Sequence, residues 1–158
     1  MVDVKSFDCF PTSINLFSLN INHEPIIEVV NIPSDLPDQL FREMTLKPLV
    51  DGILQATTKV LEKQQYNYDK IEITNMWANK LESGESHPPH THSNNFLSGV
   101  YYLKADDTAP IQFFDPRPAA NVLQPRNTPN WYNSSMIQFD SIEGSGYIFP
   151  SWLQHWVP

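Results

Sequence analysis

Three of the chain's five histidines fall within His87-Pro88-Pro89-His90-Thr91-His92. Imidazole is the commonest side-chain ligand of metal ions, and it binds through a neutral ring nitrogen. Residues two apart on a strand share a face, so His90 and His92 can grip one ion from an extended segment. His87 is three positions from His90, an offset that does not suit one strand face, and it reads as a loop residue beside the pair. A third ligand must come from elsewhere. His155 qualifies, because Phe149-Pro150-Ser151-Trp152-Leu153-Gln154-His155-Trp156 crowds one imidazole with aromatic and apolar neighbours. A buried imidazole needs a partner, and two readings stand: a hydrogen-bonded core histidine, or a metal ligand. His23, between Asn22 and Glu24 in a turn-like stretch, reads as a surface residue.

Strands must carry these histidines. Pro88-Pro89 keeps the backbone extended and excludes a helical metal motif. Phe96 to Leu103 is the strongest strand pattern in the sequence. Ile111-Gln112-Phe113-Phe114, Met136-Ile137-Gln138-Phe139 and Gly146-Tyr147-Ile148-Phe149 follow as shorter strands. Upstream, Ile14 to Ile21 alternates as a strand, and Pro25 to Val30, β-branched and stopped by Pro33, reads as a second strand able to pair with it. Ser34 or Asp35 can cap a helix starting near Leu36-Pro37-Asp38. A second helix, from Leu49 to about Gln65, sets Leu49, Ile53, Ala56, Val60 and Leu61 at spacings of three and four. It carries no histidine, no cysteine and no carboxylate cluster, so its role is support. Lys70 to Asn79 alternates as a strand with Ile71, Ile73, Asn75, Trp77 and Asn79 on one side. The segment from Ala119 to Asn133 is rich in proline and asparagine and reads as a long loop framing a site.

These elements fit one mainly β domain over residues 1–158, with N-terminal strands and helices over 1–70 and a metal-site barrel over 71–158. A jelly roll brings a turn after early strands and a strand near the end to one mouth. His90, His92 and His155 then form a coherent set. Three ligands on one face leave positions open for substrate, as non-haem iron oxygenases require and catalytic zinc also allows.

The bulk properties narrow the partners. The 158 residues suit one domain, and a formal charge of −8 disfavours non-specific binding to phosphate backbones or anionic lipid. No nucleic acid or membrane partner is expected. The single Cys9 cannot form an internal disulfide and, in Phe7-Asp8-Cys9-Phe10, reads as a small buried residue. With no signal-peptide or membrane-span pattern, the expected location is the cytoplasm.

Taken in order, Trp77-Ala78-Asn79, Gly84, His90-Thr91-His92, Ser98-Gly99-Val100-Tyr101-Tyr102-Leu103, Phe114-Asp115-Pro116-Arg117, Gly144 or Gly146, and Phe149 to His155 carry a resemblance. The string, covering Ile71 to Pro158, resembles the 2-oxoglutarate/Fe(II)-dependent oxygenases of bacteria and marine phages, distant relatives of prolyl hydroxylases. That resemblance implies a double-stranded β-helix (jelly roll, cupin-like) with helices outside. It implies Fe(II) held by His90, His92 and His155, and 2-oxoglutarate as co-substrate. Tyr102 falls where related enzymes offer a phenol to the far carboxylate of 2-oxoglutarate, and Trp77 and Asn79 line the pocket. The implied activity is a dioxygenase that oxidatively decarboxylates 2-oxoglutarate to succinate and CO2 while hydroxylating a C–H bond of a small molecule or peptide.

Two departures follow. His92 stands where the superfamily has a carboxylate, which leaves the site one charge more positive and opens the metal to iron, manganese, nickel or zinc. The superfamily also continues past the distal histidine into a strand whose arginine pairs with 2-oxoglutarate. This sequence ends at Pro158. Three readings stand: a barrel lacking its last strand because the sequence is cut from a longer frame, replacement of the clamp by another cation such as Arg117 or Arg126, or loss of co-substrate binding. The expectation is truncation, with a partner subunit covering the open edge. Two other readings remain: a cupin-type metalloprotein using the same histidines without 2-oxoglutarate, and a non-catalytic β-sandwich binding module.

Overall fold

The computed structural model describes residues 2–33, 37–117 and 128–158. Among the described residues, seven strands and two α-helices run in the order β1 (Asn15–Ser18), α1 (Glu24–Val30), α2 (Lys47–Lys63), β2 (His87–His90), β3 (Leu97–Tyr101), β4 (Ile111–Phe114), β5 (Met136–Phe139), β6 (Ser145–Pro150) and β7 (His155–Val157). They form two antiparallel sheets, a three-stranded one ordered β1-β6-β3 and a four-stranded one ordered β2-β7-β4-β5.

Residues from both sheets meet in one core. Tyr102, Ile111, Phe113, Tyr147, Phe149 and Leu153 are buried together, with Val100, Ile137 and Phe139 packed against them. Burying side chains such as Phe113, Phe149 and Leu153, each 1% exposed, stabilises by about 1.5–3 kcal/mol apiece relative to leaving them in water. A second cluster holds the helices to the opposite face of the smaller sheet: Ile26, Leu40, Leu46 and Leu49 pack with Leu19, Ile53, Tyr101 and Leu103. β6 is therefore covered on both faces, and all its residues up to Phe149 are buried.

Several expectations change. Pro25 to Val30 is not a strand paired with β1 but the short helix α1, and β1 pairs with β6. Pro25 sits in the first turn, where its missing N–H has no partner to lose, and Ile26, Val29 and Val30 reach the helix-side core at spacings of three and four. Burial of that face outweighs the β preference of the branched side chains. The helix expected near residues 36–38 takes the form of two 3-10 turns, Leu40–Arg42 and Met44–Leu46, while Ser34, Asp35 and Leu36 lie outside the described residues. The second helix is as expected, shifted two residues towards the N-terminus and led in by Pro48.

Lys70 to Asn79 forms no strand. One parallel bridge joins Met76 to Gln39, with Met76 N–H donating to the Asp38 carbonyl and Leu40 N–H to that of Met76. Ile71 and Ile73 are half-buried, but so is Met76, which breaks the alternation and turns Trp77 outward. Cys9 is exposed, in an N-terminal stretch that packs into neither core cluster. No helix among the described residues is long and apolar enough to cross a membrane. Of the expected loop from Ala119 to Asn133, residues 119–127 lie outside the described residues, and Asn130 to Asn133 form an exposed turn.

Candidate metal centre

The sequence places two prolines between His87 and His90, and the sheet absorbs them as a bulge. β2 is an edge strand, where a residue without an N–H loses no ladder bond on its open side. Against β7, His87 partners Val157 and His90 partners His155, so β2 spends one residue more than β7 over this interval. The bulge rotates His87 onto the side occupied by His90, and their ring centroids are 4.3 Å apart. His87 therefore belongs to β2 and not to a loop. The signal that could have shown it is the Pro-Pro pair itself, which is at home in a sheet only at an edge or a bulge.

His92 lies just past β2 and is tied down by Ser151. Its backbone N–H donates to the Ser151 carbonyl at 2.9 Å, the Ser151 N–H donates to Phe96 at 3.2 Å, and the Ser151 and Ser98 hydroxyls share a bond of 2.7 Å. The corner between β6 and β7 thus fixes His92 relative to β3. Ring centroids lie 4.3 Å apart for His90 and His155, 5.0 Å for His90 and His92, and 5.2 Å for His92 and His155. One nitrogen from each of the three lies within 4.8 Å of the other two, and among the described residues this is the one such group of histidine, cysteine or carboxylate side chains.

Two of the imidazoles are already held in a ligating tautomer. His90 Nδ1 is 2.8 Å from the Pro88 carbonyl oxygen and His155 Nδ1 is 2.9 Å from that of Leu153. A carbonyl only accepts, so both Nδ1 atoms carry the proton and both Nε2 lone pairs are free. Burial pushes the His155 pKa down to about 4, helped by the neighbouring imidazoles and opposed by the Leu153 carbonyl, so this ring is neutral at pH 7. Burial, then the adjacent His90 and His87, also lowers the His92 pKa. On the inner side Phe149 and Phe113 stand 4.7 and 5.9 Å from the His155 ring and close it off from water. Trp77 flanks His92 at 5.7 Å on the outer side.

Three neutral nitrogen donors with no carboxylate among them suit a divalent ion of intermediate softness. Metal–nitrogen bonds of about 2.0–2.1 Å put ligand nitrogens roughly 3 Å apart, within reach of side-chain adjustment from the observed spacing. The residues present therefore fit a bound ion.

The other site expectations land differently. Tyr102 is buried in the inter-sheet core beside Tyr147, away from ring contact with any histidine, and its hydroxyl is enclosed without a hydrogen bond of regular geometry. Burial raises its pKa and Ser141 offsets this only in part. Asn79 is exposed. Arg117 donates from Nε and Nη2 to Asp115, whose carboxylate it holds below the usual range, while Arg126 lies outside the described residues. His23 is no surface residue: its side chain is 13% exposed and its Nε2 lies 2.8 Å from the Tyr101 hydroxyl.

Residues 75–158, just over half of the chain, match the model of a protein family described as "Putative 2OG-Fe(II) oxygenase". The matched region contains all three converging histidines. No curated protein matches the chain.

Proposed function

The chain belongs to that 2OG-Fe(II) oxygenase family, and we propose that it is a non-haem Fe(II) and 2-oxoglutarate-dependent dioxygenase with a jelly-roll core, acting on a small molecule or peptide. The observation that carries the reading is the convergence of His90, His92 and His155, two of them with Nε2 left free by a bond at Nδ1.

When bound, Fe(II) with 2-oxoglutarate supplies the coupling of oxidative decarboxylation to C–H hydroxylation. The chain's own residues do the rest. His90, His92 and His155 hold the ion from one side and leave the opposite side for ligands. Pro88 and Leu153 carbonyls fix two of these rings, so ordering them costs little when the ion arrives. Phe113, Phe149 and Leu153 exclude water behind His155. Tyr102 brings a buried phenol O–H that no hydrogen bond of regular geometry satisfies, a donor that an anionic co-substrate carboxylate would accept from. Trp77 screens His92 from the outside.

The test is succinate formation from 2-oxoglutarate by the chain with Fe(II) and ascorbate. Turnover above that of His155→Ala is expected, and its absence would sink the reading. One observation favours a second reading, a cupin-type metalloprotein that does not use 2-oxoglutarate: the imidazole of His92 stands where a carboxylate is usual. Metal bound at one equivalent without any succinate would select it.

A further inference from the structure

His87 and His92 are the two histidines of the cluster whose rings make no hydrogen bond to the described residues, in contrast to His90 and His155, each tied through Nδ1, and of these two only His87 lies outside the converging three. It is half-buried, and the bulge in β2 turns it onto the face of His90, with ring centroids 4.3 Å apart. A fourth imidazole thus stands beside the three-histidine group, in ring contact with His90. None of the other three ligands is anionic, so a bound divalent ion keeps its full charge and draws any further lone pair within reach.

We propose that His87 is a fourth, displaceable metal ligand. Without co-substrate it closes a four-imidazole shell around a divalent ion, and it withdraws when a bidentate oxygen ligand takes two positions. The inference rests on the reading of His90, His92 and His155 as metal ligands. Geometry supports it: His87 lies next to a ligand, has both nitrogens uncommitted, and sits on an edge strand where its side chain can swing without breaking a ladder bond. The chemistry supports it as well, because a tetrahedral all-imidazole set suits Zn(II) and its neighbours. A site with this device protects a reactive ion at rest and is prone to capture by Zn(II).

Co(II) is the probe, since four-coordinate tetrahedral Co(II) absorbs intensely in the visible and five- or six-coordinate Co(II) weakly. The full chain is titrated with Co(II) beside His87→Phe, which keeps a ring against His90 but has no donor. His87→Asn serves as the second variant should His87→Phe fail to fold. Loss of a ligand is expected to weaken Co(II) binding by about tenfold or more, taking the 10–100-fold cost of losing a ligand's outer partner as a floor. The intense bands are expected in the wild type and absent in the variant. Adding 2-oxoglutarate to the wild type is expected to bleach them. Equal spectra and equal affinity in wild type and variant would overturn the proposal while leaving the three-histidine site intact. No Co(II) binding by the wild type would overturn the metal reading itself.

Discussion

His90 and His155 are register partners across β2 and β7, and their ring centroids lie 4.3 Å apart with the planes tilted by 57°. Backbone pairing sets that relation, so the pair is preorganised before any ion binds, whereas His92 depends on one backbone bond to Ser151. His155→Ala should abolish stoichiometric metal binding, measured by metal content after dialysis. His92→Asp adds an anion beside the ion. Even in a water-like dielectric two unit charges about 4 Å apart attract by about 1 kcal/mol, so Fe(II) affinity should rise by about fivefold or more, read by competition with a chromophoric chelator.

The buried His155 ties stability to pH. Its folded pKa of about 4 lies below the ordinary histidine value of 6.5, so the unfolded chain takes up its proton first. The contribution is complete above pH 6.5 and is lost as pH falls towards 4. The metal-free chain should therefore show a Tm that drops across this window. His155→Gln should flatten that dependence. A wild-type Tm unchanged between the two pH values would contradict the assignment of His155 as a buried neutral ring.

The strands around the site were legible because alternation reports burial directly: Phe113, Tyr147 and Phe149 each lie inward where period two puts them. The convergence of His90, His92 and His155 was legible from the His-x-His spacing and from His155 standing among core aromatics. What failed lies where tertiary contacts override local pattern. Pro25 to Val30 has β-branched residues at positions that also suit one helical face, and only the Leu40, Leu46 and Leu49 side chains packed with it decide between the two. Alternation across Lys70 to Asn79 is interrupted once, at Thr74 and Asn75, and their bonds to Asn95 and Asp38 are not visible in sequence. His87 needed the bulge, a property of two paired strands.

Gly146 is a sharp test of the sheet that backs the site. It lies in the middle strand of β1-β6-β3, opposite Phe17 on one side and Tyr101 on the other. A Cβ there would run into the Val100 carbonyl oxygen and would come to 2.8 Å from the Phe17 ring. Backbone in a central ladder cannot give way cheaply. Gly146→Ala should destabilise by about 1–3 kcal/mol, measured by denaturant unfolding, with no change in the slope that reports exposed area.

His23 and Tyr101 form a link between the helices and the smaller sheet. The bond at 2.8 Å joins the start of α1 to the end of β3, with Glu143 Oε1 3.8 Å from the other ring nitrogen. Tyr101 opposes Gly146, while the corner at Ser151 that holds His92 meets the far end of β3 through Phe96. Tyr101→Phe removes one partly buried hydrogen bond and should cost about 1 kcal/mol. His23→Phe also leaves the Tyr101 hydroxyl without its partner and should cost more, about 1–3 kcal/mol. The double variant should cost less than the sum, by about 0.5 kcal/mol or more, if the two side chains are coupled. Metal affinity should be unchanged in all three. A strictly additive cycle would show that the contact contributes packing alone, and a fall in metal affinity would show that the two ends of β3 are mechanically joined.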